Sequence, residues 1–211
     1  MTQRSPLFVL AAFATLLALT ACGNAPHQPS PTGSATAPAG ASSSPASGQT
    51  HNAADVTFAQ QMIPHHQQAI QMSDIILGKP GIDPRVTQLA HQIKAAQGPE
   101  IQTMQTWLRQ WGQPLAPAHG TPGDAMPGMP NHSGMNGMMS DADMGALRNA
   151  DGPAAGKLFL TQMIKHHRGA IDAAQVEIRS GHDAPAVTLA RSIVNSQQQE
   201  IATMQTIEAS L

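Results

Sequence analysis

The chain has 211 residues, 11% of them charged and 3% aromatic with no tyrosine, and a net charge of −2 with histidine neutral. Of its 11 basic residues only Arg4 precedes Cys22, so loss of residues 1–21 would deepen the excess of the 13 acids to −3. That sign disfavours nucleic acid as a partner, which needs clustered positive charge, and a single cysteine forbids an intramolecular disulfide.

The first segment reads as an export signal. Arg4 is the only charge before an apolar run from Leu7 to Leu19, which is too short to cross a bilayer as a stable helix. Leu19-Thr20-Ala21-Cys22 has the form of a lipobox, so residues 1–21 are expected to be removed and Cys22 to be lipidated. The lipid would anchor the protein to the extracytoplasmic face of a bacterial membrane. Residues 22–52 continue as Pro, Ser, Ala, Gly and Thr with little else. Such a composition buries too little apolar surface to offset the entropy of ordering, which predicts a disordered tether. Residues 53–211 have the length of one domain with a real core.

That domain is internally duplicated. Gln61-Met62-Ile63-Pro64-His65-His66-Gln67-Gln68-Ala69-Ile70 recurs, displaced by 163 − 62 = 101, as Gln162-Met163-Ile164-Lys165-His166-His167-Arg168-Gly169-Ala170-Ile171. A second block with Leu89, Ile93, Gln97, Glu100, Ile101 and Met104 recurs, displaced by 100, as Leu189, Ile193, Gln197, Glu200, Ile201 and Met204. Repeat one spans 53–112 and repeat two 153–211, joined by a Met- and His-rich linker, 113–152. Within each repeat apolar residues recur at i, i+3 and i+4 rather than at a period of two, which predicts helices.

Breakers at Gly78–Pro84 and Ser180–Pro185 split each repeat into a hairpin of two long helices. Two hairpins related by a pseudo-twofold axis predict an all-α, ferritin-like four-helix bundle. Pro64 is expected in the first turns of helix one, and Trp107 and Trp111 on the inward stripe of helix two. Ser140–Asp143 reads as a capping box opening a short helix that ends near Asn149, and Pro153 then starts the third long helix.

The inward stripes are not purely apolar. With each residue advancing about 100°, His66 and His167 fall near the middle of their stripes, Met62 and Met163 one turn earlier. His65 and His166 lie on the flanks, with Met72 near His65. Gln97, Glu100 and Met104, and Gln197, Glu200 and Met204, occupy the inward centres of the partner helices. A lone buried histidine is commonly a hydrogen-bonded core residue, and one His–Glu set is explained that way. The same costly set buried twice is better explained by a ligand, because apolar residues would pack as well. The candidate metal ligands are Met62, His65, His66, Met72, Met104, Met163, His166, His167 and Met204, with Gln97, Glu100, Gln197 and Glu200 as oxygen ligands or their supports.

In the linker, Met126, Met129, His132, Met135 and Met138 recur at intervals of three, followed by Met139, among Gly, Pro, Ser and Asn. With no core to fill, this stretch reads as a flexible capture arm, and deletion of Ala125–Met139 is expected to leave the bundle folded. Thioether and imidazole donors without thiolate suit Cu(I), and imidazoles also Cu(II), in an oxidising compartment. Zinc would favour Cys, His and carboxylate in a closed tetrahedron.

Phe58-Ala59-Gln60-Gln61-Met62-Ile63-Pro64-His65-His66, Gln97-Gly98-Pro99-Glu100-Ile101-Gln102-Thr103-Met104, Trp107-Leu108-Arg109-Gln110-Trp111-Gly112, Gly137-Met138-Met139-Ser140 and Met163-Ile164-Lys165-His166-His167 together resemble the signature of domain of unknown function 305. The resemblance covers roughly Ala54 to Leu211. It implies a ferritin-like four-helix fold, an extracytoplasmic location and, for some members, periplasmic copper binding linked to copper tolerance. Lys165 stands where the family often has proline, and Ala173 replaces the methionine that Met72 supplies in repeat one, so a second site would be poorer in thioether.

Three functional classes follow. The preferred one is a copper-binding lipoprotein serving storage, buffering or tolerance, with a copper-delivery partner. A ferritin-like metalloenzyme is disfavoured, because that architecture uses Glu-x-x-His on two helices and a Glu from each of the others, where this chain has Gln61, Met62, Gln162 and Met163. The third is a metal-free structural or adaptor bundle at the cell envelope, monomeric or homodimeric. No catalytic residue is assigned.

Overall fold

The computed structural model describes residues 50–115 and 135–211. The export signal, Cys22, most of the tether, and Met126, Met129 and His132 of the linker lie outside the described residues.

The described residues form five helices: α1 (Ala53–Leu77), α2 (Pro84–Gln110), α3 (Asp141–Asn149), α4 (Gly152–Ser180) and α5 (Ala184–Glu208). Four of the five starts have a side-chain cap; α4, after Asp151, has only a proline in its first turn. Asn52 and Asp55 make a reciprocal capping box at α1, as Ser140 and Asp143 do at α3, so the orphan N–H groups of the first turn are satisfied. Asp83 and Asp183 cap α2 and α5, each followed by a proline in the first turn, where a missing N–H costs nothing. The expected breakers and the short helix stand where the sequence puts them.

α1–α2 and α4–α5 are the two hairpins, joined mainly through α1 and α4, while α3 lies against both of these central helices. The core divides into two apolar clusters. One combines Ala69, Met72 and Ile76 of α1, Val86, Leu89 and Ile93 of α2, Phe159, Leu160 and Met163 of α4, and Met204 and Ile207 of α5. The other combines Phe58, Met62 and Ile63 of α1, Ile101, Met104 and Leu108 of α2, Ala170 and Ala174 of α4, and Ala190 and Ile193 of α5. α1 and α4 therefore run antiparallel, and each cluster is the other's image under the duplication. Each fully buried Leu, Ile, Met or Phe contributes about 1.5–3 kcal/mol. The histidines fall between the clusters, midway along both central helices.

Three local expectations are corrected or refined. Pro64 lies in the interior of α1 rather than in its first turns, and Pro99 lies inside α2. Each removes a backbone N–H, yet both helices continue, because apolar burial before and after the proline outweighs one lost bond. Trp107 and Trp111 pack against one apolar cluster but only half-buried, at its rim, where Trp111 stacks on His51 with ring centroids 4.7 Å apart; Met104 and Leu108 of the same stripe are fully buried.

The third concerns the linker. Met135 and Met139 are buried, Met135 in one apolar cluster and Met139 in the other. The Gln68 side chain brackets Met139, donating to its carbonyl at 2.9 Å and accepting from its N–H at 2.7 Å. Gly137, at φ 87°, crosses Gly169 of α4 so closely that a Cβ on Gly169 would stand 1.6 Å from the Asn136 carbonyl oxygen. Met135 and Met139 are thus core residues, and the segment between them is seated on α4 beside His166 rather than belonging to a free arm. Two glycines permit the crossing because neither carries a side chain into it.

Candidate metal centre

Neighbouring residues on a helix point about 100° apart, so a His-His pair addresses two different neighbours at one level. His66 turns to α2, where its Nε2 bonds Glu100 Oε2 at 2.7 Å; His167 turns to α5, where its Nε2 bonds Glu200 Oε2 at 2.5 Å. In each pair the ring N–H donates to a carboxylate, which fixes the tautomer and the ring plane. The other member of each pair turns inward to the pseudo-twofold axis. The rings of His65 and His166 lie with centroids 3.6 Å apart and planes inclined by 34°. Within each repeat the two rings stand 6.4 Å apart at 53°, the same in both halves. The duplicated motifs therefore merge into one centre of four imidazoles.

The carboxylates are not at the inward centre that the helical wheel gave them. Glu100 and Glu200 side chains keep 17% and 19% of their surface exposed, reaching in from the rim. This lowers the desolvation cost of a charge held against a buried ring. Gln97 and Gln197 are buried, and both polar side-chain atoms of Gln97 and Oε1 of Gln197 lack hydrogen-bond partners.

The inner rings differ sharply from the outer ones. Both nitrogens of His65 and of His166 are buried and make no well-formed hydrogen bond, the backbone of Asn136 and His166 lying beside His65 and that of His65 beside His166, whereas His66 and His167 leave only Nδ1 unsatisfied. Burial first, then the neighbouring imidazoles, hold His65 and His166 well below the ordinary histidine value. Both rings are therefore neutral at physiological pH, with nitrogen lone pairs available. Orphaned polar atoms in a core are rare and costly, and here they occur on symmetry-related residues in contact.

The thioethers stand apart from this layer. Met62 and Met104 belong to one apolar cluster and Met72, Met163 and Met204 to the other, all fully buried. They flank the imidazoles on both sides and serve as core residues in either case. Among the described residues, no three His, Cys, Asp or Glu side chains converge to hold an ion by themselves. A closed zinc-type tetrahedron does not fit these donors; a soft ion that accepts two imidazoles does.

Sequence reasoning missed the buried acids Asp55 of α1, Glu177 of α4 and Asp183 at the start of α5; for Glu177 alone the sequence carries a sign. Glu177 stands in the apolar stripe where repeat one has Ile76.

Fold and centre together define an all-α helical bundle with imidazoles at its centre and methionines in the apolar clusters on either side. The chain belongs to the family of domain of unknown function DUF305, whose model matches residues 55–208. Among solved structures it is similar to a DUF305 fragment from Deinococcus radiodurans, at 31% identity, 76% of this chain, 98% of that chain and a TM-score of 0.64. It is also similar to CopM in its Cu(II)-bound form, at 31% identity over 74% of this chain and 96% of that one, TM-score 0.61. CopM in its Cu(I)-bound form matches at 29% identity with the same coverage, TM-score 0.60. No curated protein matches the chain.

Proposed function

We propose that the protein is an extracytoplasmic lipoprotein that binds copper, with His65 and His166 as the central donors. The observation that carries this reading is the pair of neutral, touching imidazoles whose four nitrogens are buried and make no well-formed hydrogen bond, with only the backbone of Asn136 and His166 beside His65 and that of His65 beside His166. The similarity to CopM, solved with Cu(I) and with Cu(II), supports copper as the ion. His66 and His167, fixed by Glu100 and Glu200, bring their free Nδ1 atoms to the same layer, and Met62, Met104, Met163 and Met204 supply soft donors on its flanks. Export rests on the leader and on Cys22; no helix among the described residues is long and apolar enough to cross a membrane. The role is binding and buffering rather than catalysis, with copper passed to a delivery partner.

The test is competition titration with Cu(I), and with silver as its redox-inert mimic, on the protein and on the double variant His65→Ala, His166→Ala. The variant is expected to lose the tightest ion while its helical content stays, because alanine removes orphaned polar atoms from the core. Unchanged affinity would sink the reading. The alternative, a metal-free envelope bundle, draws on the His66–Glu100 and His167–Glu200 pairs, which satisfy each other without an ion. Failure of the intact protein to take up either ion would establish it.

A further inference from the structure

The end of the bundle where α1 starts holds two buried acids that the histidine centre does not use. Asp55, in the first turn of α1, accepts N–H groups from Asn52 at 2.6 Å, His182 at 3.0 Å and Asp183 at 3.0 Å. One carboxylate thus ties the start of α1 to the turn between α4 and α5, and Asn52 Nδ2 adds a bond to the Ser180 carbonyl at 2.8 Å. Glu177 of α4, 1% exposed, has both carboxyl oxygens buried against the same turn whose N–H groups Asp55 accepts. Gly181 closes over it so tightly that a Cβ there would stand 2.2 Å from Glu177 Oε1.

Neither oxygen of Glu177 meets an N–H or O–H donor. The charged groups that face it are both acids, Asp55 of α1 and Asp183 at the start of α5, and His182 contributes its backbone N–H to Asp55. Two carboxylates cannot share a dry site as two anions; a proton held between them removes the repulsion and supplies the missing donor. We propose that Asp55 and Glu177 form a proton-held latch, in which neutral Glu177 donates to the Asp55 carboxylate and fastens the start of α1 to the α4–α5 turn. Ionisation of Glu177 releases it. Under the duplication Asp55 corresponds to Gly156 and Glu177 to Ile76, both buried, so the opposite end has no such acid pair; there Lys79 Nζ donates to the Arg148 and Ala150 carbonyls at 2.7 and 2.6 Å.

The electrostatics agree in sign. Burial first, then the hydrogen bond and charge of Asp55, push Glu177 up to about 8. Burial also pushes Asp55 upward, but hydrogen bonds from Glu177, Asn52, Asp183 and His182 outweigh it and hold Asp55 below the ordinary carboxylate value. The stability that Glu177 contributes is therefore full below its ordinary 4.5 and lost as pH rises through about 8. That of Asp55 is present above 3.8 and lost as pH falls. The latch is closed at neutral pH and opens in mild alkali.

Amide exchange at His182 and Asp183, the donors to Asp55, reads the latch directly in the intact protein. Between about pH 6 and about pH 9 their protection factors are expected to fall by about tenfold or more. In Glu177→Gln they should hold steady, because the amide N–H donates to Asp55 at every pH. An equal fall in the variant overturns the proposal. Carboxyl NMR titration of Glu177 in the unaltered protein needs no variant: a midpoint near 8 supports the latch, and one near 4.5 overturns it. Recovery of protection in alkali by added calcium would overturn it in another way, by making the pair a cation site.

Discussion

His65 and His166 are neutral because burial and each other's proximity penalise the cation. Unfolding releases both to the ordinary value of 6.5. Below that pH the unfolded chain takes up protons that the folded one refuses, so their contribution is present above 6.5 and lost as pH falls. Thermal melts of the copper-free protein should show midpoints that drop below about pH 6.5, with a shallower drop in His65→Ala, His166→Ala. Identical acid profiles would show that the rings are solvated. Glu100 and Glu200 make a different test. Replacing both with Gln turns charge-assisted bonds into neutral ones, and because each carboxylate is partly wet the expected loss is about 1 kcal/mol per pair by urea denaturation. A fall in copper affinity beyond a few-fold would show that they orient the outer rings for the ion.

At the scale of elements, the loop 135–139 is the part with the clearest mechanical role. Gly169→Ala would drive a methyl group into the Asn136 carbonyl and must displace either the loop or α4. A loss of about 1–3 kcal/mol is expected, the usual cost of overpacking, and a neutral result in denaturant melts would mean that the crossing is looser in solution. Deletion of Ala125–Met139 is now expected to destabilise the bundle, because it removes Met135, Met139 and the Gln68 bracket. The sequence made the helices, their breakers and the α3 capping box legible, because these rest on local spacing and local chemistry. It did not show that Met135 and Met139 are core: methionine among Gly, Pro and Asn looks the same whether it waits for metal or plugs a gap. It put Trp107 and Trp111 on the right face but did not show that they stand at the rim, for a related reason. A wheel drawn on one helix drifts along its length and carries no information about where the neighbouring helix ends.

For the whole molecule, the recurrence of Met62–Ile70 as Met163–Ile171 is legible in the sequence, but whether it builds one centre or two is not. His65 and His166 looked peripheral on their own helices, and only the crossing of α1 and α4 brings them together. A shared centre fails as a unit. His65→Ala alone should therefore cost nearly as much copper affinity as the double variant, a strong departure from additivity; half the loss would indicate two independent sites. Silver at about a hundredfold over its dissociation constant should stabilise the intact protein by roughly 2.7 kcal/mol through mass action. The doubly substituted protein should gain almost none of that in a thermal shift measurement.

Gly156 and Ile76 stand where symmetry would have repeated Asp55 and Glu177. Two separate copies of one hairpin would have had to wear the acids at both ends or at neither. Fusion into one chain lifts that obligation: the middle stays bound to its mirror image, while each tip is free to drift. The molecule thereby acquires a head and a tail. Its proton-sensitive tip is the one from which the N-terminal segment departs, so an outer environment turning alkaline would loosen the root of the structure first and leave the far tip undisturbed.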